Sequence, residues 1–152
     1  MMNRLKIELM PIEEDGYHIF LDASINGGTA RLLVDTGASR TVFDEERIKA
    51  FLTKKNQRFK RFSKLSTGLG TNSMKSRSII LEEFRLGETV FKDYQAVVLN
   101  MEHVNQSYQM LGQKQIDGVL GGDLLRELRA VIDYRKNEIR WQARPVGVLR
   151  AP

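Results

Sequence analysis

The sequence predicts a mostly β protein, a barrel or a sandwich of short strands. Apolar and polar residues alternate in several short segments, which is the period-two pattern of a half-buried strand. Glycine punctuates the chain at 12 positions, whereas proline occurs only 3 times. Only two short segments have the spacing of an amphipathic helix, so strands dominate the predicted fold.

The first quarter of the chain contains the first three predicted strands. Residues 5–9 alternate between apolar and charged side chains, and residues 19–25 have a similar alternation. The Asn-Gly-Gly triplet at residues 26–28 supplies the positive backbone angles that a tight hairpin needs. The returning strand is predicted over residues 29–34, and it ends at Asp35.

A short helix and two further hairpins are predicted in the middle of the chain. Asp44 can cap a helix that contains the apolar stripe Ile48, Phe51 and Leu52. Two hairpins follow, the first with a polar, glycine-containing tip: residues 59–65 with 76–81, and residues 79–86 with 89–99.

The last third of the chain alternates between irregular and regular segments. Residues 100–115 lack clear periodicity, and we predict a loop there. Residues 116–122 return to the core, and residues 123–129 have helical character. A final hairpin is predicted from residues 131–134 and 138–141.

The positive charge of the protein is concentrated in one segment. The 152 residues include 24 Lys and Arg and 19 Asp and Glu, a formal net charge of +5, and six of the cations lie in residues 54–64 with no acid among them. Without these six the rest of the chain is nearly neutral, which argues against a uniformly cationic nucleic-acid coat. The cations are interleaved with Phe59 and Phe62, as in some nucleic-acid contacts. We expect instead the solvated face of a strand, and no nucleic-acid partner.

Several classes of function are excluded by the sequence. The absence of cysteine excludes disulfides, thiolate zinc sites and cysteine nucleophiles. His18 and His103 lack the spacing of metal ligands and are expected to be surface or strand histidines, so we expect no metal and no cofactor. Neither a Gly-x-Ser-x-Gly elbow nor a phosphate-binding or dinucleotide-binding glycine pattern occurs. No apolar run approaches the roughly 18 residues that cross a bilayer, and we expect a cytoplasmic protein without a membrane partner.

The strongest chemical signal lies in residues 33–39, Leu-Val-Asp-Thr-Gly-Ala-Ser. An apolar strand leads into Asp35, and no Lys or Arg follows until Arg40. Gly37 permits a sharp turn and a close backbone approach, and the Thr36 hydroxyl can lock the loop. A carboxylate at the end of a buried strand is a candidate acid or base. The tripeptide alone would also suit an Asx turn after a strand.

With its flanking residues, the chain resembles the aspartic proteases of the retropepsin type, the single-lobe relatives of pepsin. In that family an apolar pair precedes Asp-Thr-Gly-Ala, as at residues 33–38. A second signature, two apolar residues and a glycine before a short helix, is matched by residues 119–121 and 122–125. The family places a glycine-containing flap hairpin between the two, where residues 68–70 stand. The resemblance covers about residues 17–141 in the expected order.

The resemblance implies a closed β-barrel lobe with a flap hairpin and one or two short helices. It implies a single domain over residues 1–152, with its core at about 17–141. The tail at 142–152 and the N-terminal strand would supply strands to a dimer interface.

The implied activity is that of an aspartic endopeptidase, in which two carboxylates share one proton and activate a water. The chain contains one Asp-Thr-Gly motif. The second aspartate must therefore come from a second chain, in a homodimer with both copies of Asp35 at the two-fold axis.

Eight residues form the implied site. The catalytic loop consists of Asp35, Thr36 and Gly37, with Thr36 bonded across the axis. The cleft for a polypeptide substrate is bordered by Ala38, Ser39, Gly68, Leu69 and Gly70. Arg40 could favour an acidic substrate side chain or point to solvent.

Two acids near the second signature could be mistaken for a paired site within one chain. We expect Asp123 to cap the short helix and Asp117 to belong to the loop before it. One alternative for the whole chain stays open: a non-catalytic module of the same fold that binds a peptide or nucleic acid through segment 54–64. The intact Asp-Thr-Gly motif favours the enzyme, because a scaffold has no physical need for an acid in that loop.

Overall fold

The structure, a computed structural model, describes residues 1–54, 57–61 and 76–142. Within these ranges it has eleven strands, two α-helices and a 3-10 helix at Arg47–Phe51. The strands are β1 (Met2–Lys6), β2 (Glu8–Ile12), β3 (Gly16–Ile25), β4 (Gly28–Val34), β5 (Val42–Asp44), β6 (Lys60–Arg61), β7 (Arg77–Leu86), β8 (Thr89–Leu99), β9 (Gly118–Leu120), β10 (Val131–Asp133) and β11 (Glu138–Gln142). The helices are α1 (Glu102–Met110) and α2 (Gly122–Glu127).

Six strands close into a β-barrel, as the family resemblance implied. They follow the order β3-β4-β9-β5-β8-β7, and β7 returns to pair with β3. The pairs β4–β9 and β5–β8 are parallel, and the others in the barrel are antiparallel. β2 extends the sheet beside β3, and β6 extends it beside β7.

The barrel is filled by aromatic and aliphatic side chains. Phe43, Phe84 and Phe91 are fully buried, and Tyr94 is 3% exposed. The Phe84 ring lies 5.4 Å from that of Phe43 and 5.2 Å from that of Tyr94. Burying one such side chain stabilises the fold by roughly 1.5–3 kcal/mol, so this cluster is a major contribution to the core.

Two of the predicted hairpin turns are confirmed. Asn26 and Gly27 connect β3 to β4 with φ angles of 49° and 86°, and Gly87 connects β7 to β8 with a φ of 56°. The Asn26 side chain also joins this turn to the barrel, because its amide donates to the Phe51 carbonyl and accepts the Glu83 N–H, both at 2.9 Å. Turn chemistry and tertiary packing therefore agree at this position.

The prediction of one strand over residues 5–9 is wrong, because the chain divides at Ile7. β1 belongs to a small sheet of order β1-β11-β10, whereas β2 belongs to the barrel sheet. Ile7 is buried, and its N–H donates to the Asn137 carbonyl at 3.1 Å. The alternating pattern continues across the break, so the sequence does not mark where one sheet ends and the other begins.

The prediction of a loop over residues 100–115 is also wrong, because α1 lies within it. The inward positions Met101, Asn105 and Tyr108 have helical spacing and are all buried. Asn105 interrupts the apolar stripe, and for that reason the helix is hard to recognise in the sequence. Its amide donates to the Ile116 carbonyl at 3.1 Å and accepts the Ile116 N–H at 2.7 Å, which satisfies the buried polar group.

The two predicted caps are found in altered form. The Asp44 carboxylate accepts the Arg47 N–H at 2.9 Å, but the N-cap position belongs to Glu46 and the helix is a 3-10 helix. Asp123 does not hold the N-cap position of α2, which belongs to Gly121. It lies in the first turn, where its Oδ1 accepts the Leu124 N–H at 2.8 Å.

The first arm of the predicted flap hairpin is partly described. β6 pairs with β7, with Lys60 opposite Ser78 and Arg61 opposite Arg77. Both cations are exposed, while Phe59 packs against the core, as expected for a solvated strand face. The predicted flap tip, Gly68, Leu69 and Gly70, and the C-terminal tail beyond residue 142 lie outside the described residues.

Candidate active site

Asp35 lies directly after β4, at the end where β4 runs parallel to β9. Val34 is opposite Leu120, and the Asp35 N–H donates to the Leu120 carbonyl at 3.0 Å. Val34 and Leu120 are buried, whereas Asp35 itself is exposed. The barrel therefore fixes the backbone of Asp35 and leaves its carboxylate open to a reaction partner.

The loop after Asp35 folds back on the carboxylate. The Gly37 N–H donates to Asp35 Oδ1 at 2.9 Å, and the Ala38 N–H donates to the Asp35 carbonyl at 3.2 Å. A Cβ on Gly37 would lie 3.3 Å from Asp35 Oδ1, closer than most Cβ contacts. Gly37 thus permits the close approach predicted from the sequence, and this approach orients the carboxylate.

The second signature clasps this loop from the other side. The Gly122 N–H donates to the Ala38 carbonyl at 2.7 Å, and the Asp123 N–H donates to the Ser39 carbonyl at 3.2 Å. A Cβ on Gly121 would lie 2.5 Å from the Arg40 carbonyl oxygen. No larger residue fits at Gly121 without displacing the loop, which explains the glycine of the second signature.

Thr41 and Asp123 form a polar anchor that the sequence analysis did not identify. Oδ1 of Asp123 accepts both the N–H and the hydroxyl of Thr41, each at 2.8 Å. The Thr41 oxygen in turn accepts the Gly121 N–H at 3.0 Å. Thr41 is 1% exposed, so these bonds are shielded from water. The sequence shows only a hydroxyl residue, Thr41, shortly after the Asp-Thr-Gly motif and an acid, Asp123, after the second glycine signature. Neither residue type indicates that the two side chains are hydrogen-bonded to each other.

The predicted site residues differ in exposure. Thr36 and Ser39 are exposed, whereas Ala38 is half-buried against the apolar cluster around Phe20. In the described part of the chain, no hydrogen bond of the Thr36 hydroxyl is recorded. Its predicted partner would belong to a second chain.

Arg40 is half-buried, and its charge affects the Tyr94 phenol in the barrel core. Burial raises the pKa of the Tyr94 phenol, the negative charge of Asp123 raises it further, and the Arg40 guanidinium opposes both. Arg40 therefore lies close enough to this end of the core for its charge to act on Tyr94.

Asp117 has the structural role expected for it. It is 5% exposed, and its two carboxylate oxygens accept the Arg31 N–H and the Arg47 Nε–H, both at 2.8 Å. Neither Asp117 nor Asp123 is free to pair with Asp35. Among residues 1–54, 57–61 and 76–142, no three His, Asp or Glu side chains are grouped to hold a metal ion.

The same ranges contain no helix long and apolar enough to span a membrane.

Comparisons with known proteins agree with this geometry. The profile of the aspartyl protease family matches residues 21–124, more than half of the chain. No curated protein sequence matches the chain.

Three solved structures share the fold. A retropepsin-like aspartic protease from Rickettsia conorii is 20% identical, with a TM-score of 0.53 over 93% of this chain and 89% of that one. EIAV protease, complexed with the inhibitor HBY-793, is 18% identical, with a TM-score of 0.51 over 82% and 97%. The retroviral protease-like domain of Ddi1 from Leishmania major is 14% identical, with a TM-score of 0.50 over 79% and 84%.

The family profile spans both the loop at Asp35 and the glycines that clasp it, and the shared fold places these two segments in contact. The chain therefore belongs to the aspartyl protease family and has the retropepsin-like fold.

Proposed function

We propose that this protein is a homodimeric aspartic endopeptidase whose catalytic dyad takes one Asp35 from each chain. The observation that carries the proposal is the exposed carboxylate of Asp35 on a loop fixed from both sides. The chain has one Asp-Thr-Gly motif, and its nearby acids Asp117 and Asp123 are occupied by other groups. The partner carboxylate would therefore come from a second chain.

The two carboxylates would share one proton, because two negative charges at about 3 Å cannot both be maintained. The ionised carboxylate removes a proton from a water, which attacks the carbonyl carbon of the scissile bond. The protonated carboxylate donates a hydrogen bond to the carbonyl oxygen. The amine leaves after it receives a proton from the dyad, and the pair returns to its shared-proton state.

The remaining site residues would hold the dimer and the substrate. The exposed Thr36 hydroxyl would bond across the two-fold axis, and Gly37 would hold the carboxylate in place. Ala38 and Ser39 would border the cleft for an extended peptide. The flap tip at residues 68–70 would close over it.

A strand interface between the two chains fits the small sheet. β11 has β1 on one side and β10 on the other, so an added strand would join at the outer edge of β1 or β10, where no strand pairs among the described residues. We propose that the N-terminal strand and the tail at 142–152 contribute to this interface. The whole chain, residues 1–152, would then form one domain of a cytoplasmic dimer.

Cleavage of an unfolded protein substrate at several pH values tests the proposal. We expect the wild type to cleave, Asp35→Asn to be inactive, and a statine-type inhibitor to block the wild type. Cleavage that survives Asp35→Asn would contradict it. If neither form cleaves but the chain binds peptide or nucleic acid, it is a binding module; nucleic-acid binding would then be salt-dependent and lost when Lys60 and Arg61 are neutralised.

A further inference from the structure

A hydrogen-bonded pair of side chains, His18 and Tyr108, lies beside the candidate active site. In the ladder between β3 and β4, Phe20 is opposite Leu33 and Ile19 is opposite Val34. The ladder ends there, and its register extended by one residue would set His18 opposite Asp35, the residue that follows β4. Opposed residues of an antiparallel pair share a face, so His18 and Asp35 lie on the same side of the sheet.

Tyr108 of α1 fixes the His18 ring. The Tyr108 hydroxyl lies 2.8 Å from His18 Nδ1, and the two rings are nearly perpendicular at a centroid distance of 5.7 Å. The tyrosine ring also lies 5.4 Å from the ring of Phe20, which in turn lies 6.3 Å from the His18 ring and 4.1 Å from the Arg31 guanidinium. These contacts leave His18 few alternative orientations.

The electrostatic effect of Asp35 on Tyr108 agrees with a position of this pair near the active site. Burial raises the pKa of Tyr108, the positive charge of Arg31 lowers it, and the negative charge of Asp35 raises it. Tyr108 and the cleft residue Ala38 also belong to the same apolar cluster. α1 therefore reaches the edge of the cleft, although it follows Asp35 by more than 60 residues in the sequence.

The hydrogen bond determines what His18 offers to a ligand. Tyr108 is 4% exposed, and among the described residues its hydroxyl has no other recorded partner. In the arrangement that satisfies the buried hydroxyl, the phenol donates its proton to Nδ1, because an unpaired buried donor would cost about 1–3 kcal/mol. With Nδ1 as acceptor, the neutral ring carries its own proton on Nε2. His18 is half-buried, and no partner of Nε2 is recorded in the described ranges.

We propose that His18 is a specificity-determining residue of the peptide cleft, and that it selects substrates with a carboxylate or amide oxygen near the scissile bond. The Nε2–H would donate to a Glu, Gln, Asp or Asn side chain of the peptide. Tyr108 is the positioning residue, because it fixes both the orientation and the tautomer of the ring. This inference rests on the proposed function only in that Asp35 marks a peptide-binding cleft.

Peptide binding to an Asp35→Asn background tests this without depending on catalysis. The probes are fluorescein-labelled octapeptides that carry Glu, Gln or Leu at one position at a time, and anisotropy gives the Kd. We expect one position at which the Glu and Gln peptides bind about tenfold more tightly than the Leu peptide. His18→Leu should reduce this ratio to about one. His18→Gln should restore part of it, because its amide nitrogen can replace Nε2.

Two further variants separate positioning from simple packing. Tyr108→Phe retains the ring and removes the hydroxyl, and it should reduce the ratio while the Leu peptide binds as before. His103→Leu alters the other histidine, which is exposed on α1, and should leave the ratio unchanged. The inference is overturned if His18→Leu and His103→Leu give the same ratio, if no position favours Glu or Gln over Leu, or if none of the peptides binds.

Cleavage of the same peptides by the protein with Asp35 intact separates the two proposals. If the peptides are cleaved but the preference for Glu or Gln over Leu is the same with and without His18, the inference is refuted and the peptidase is supported. Binding that depends on His18 without any cleavage would support the inference and refute the peptidase.

Discussion

Asp35 and Asp117 stand at opposite ends of the same pair of parallel strands and have opposite roles. Asp35 follows β4 and is exposed, and its carboxylate accepts one recorded hydrogen bond, from Gly37. Asp117 precedes β9 and is buried, and both of its carboxylate oxygens are bonded, to Arg31 and Arg47. The comparison shows that a fixed backbone with a free carboxylate suits chemistry, whereas a carboxylate with satisfied oxygens suits structure.

Asp35→Asn should have the largest effect on activity and almost none on stability. We expect cleavage to fall by about 10³-fold or more, since the variant cannot carry the charge that activates water. The free energy of unfolding should change by less than about 0.5 kcal/mol, because the side chain is exposed and the amide oxygen can still accept the Gly37 N–H. Urea unfolding beside the cleavage assay measures both, and a strongly destabilised variant would contradict the comparison.

Gly121→Ala should damage both the fold and the activity. The new Cβ would lie 2.5 Å from the Arg40 carbonyl oxygen, so the loop after Asp35 must shift. We expect a loss of about 2 kcal/mol or more in the free energy of unfolding, and about tenfold or more in kcat/KM. Gly122→Ala is the matched control, because its Cβ would meet the Ala38 carbonyl oxygen at 3.3 Å. Equal effects of the two variants would argue against a specific need for the close contact between Gly121 and the loop after Asp35.

Asp117→Ala should have the opposite effects to Asp35→Asn, because we expect it to reduce stability and to leave activity nearly unchanged. It removes the acceptors of the Arg31 N–H and the Arg47 guanidinium, and we expect a loss of about 2 kcal/mol in stability. Under conditions where the protein remains folded, kcat/KM should change little. Asp15→Ala, in an exposed turn, is the control and should be neutral. A stable but inactive Asp117→Ala would place Asp117 in the chemistry after all.

The sequence predicted most of the barrel and the Asp35 loop because their signals are local. Alternation marks strands within a few residues, and Asn26, Gly27 and Gly87 mark the turns by their backbone angles. The Asp-Thr-Gly motif is likewise contiguous. The features that were missed depend on partners distant in the sequence.

Thr41 and Asp123 show this dependence most clearly. They are 82 residues apart, and the sequence around each residue does not indicate that the other is its hydrogen-bond partner. α1 was missed because its inward face includes Asn105, whose hydrogen bonds to Ile116 form only in the folded chain. The division of the first strand at Ile7 also follows from the sheet that each half joins and not from local pattern.

Thr41→Val should have a smaller effect than the changes at Gly121 and Asp117. The substitution preserves the shape of the side chain and removes the oxygen that links Gly121 to Asp123. We expect a loss of about 1–2 kcal/mol in the free energy of unfolding, measured in urea. Thr29→Val, at an exposed position on β4, should cost much less. If the two variants are equally stable, the anchor contributes nothing.

Asp133→Asn should produce the smallest effect, a change in how the stability of the protein depends on pH. The backbone N–H of Lys136, the Arg140 guanidinium and the Arg135 N–H hold the pKa of Asp133 below its usual value of 3.8, although burial acts in the opposite direction. Because the folded pKa is depressed, this stabilisation is present above pH 3.8 and is lost as the pH falls through the folded value. Wild type should therefore exceed Asp133→Asn in stability at pH 7, and the difference should disappear in acid. If the difference in stability between wild type and Asp133→Asn grew as the pH fell, it would contradict a pKa of Asp133 that is lowered by folding.

The most direct test of the shared dyad is the activity of mixed dimers. Differently tagged wild-type and Asp35→Asn chains are co-expressed in varied proportions, and cleavage is measured at a fixed total protein concentration. If both carboxylates of a dimer are required, activity follows the square of the wild-type fraction, so a mixture that is about half wild type retains about a quarter of full activity. Activity that falls in simple proportion to the wild-type fraction, as for chains that act independently, or more slowly, as when one Asp35 per dimer suffices, would contradict a dyad built from two chains.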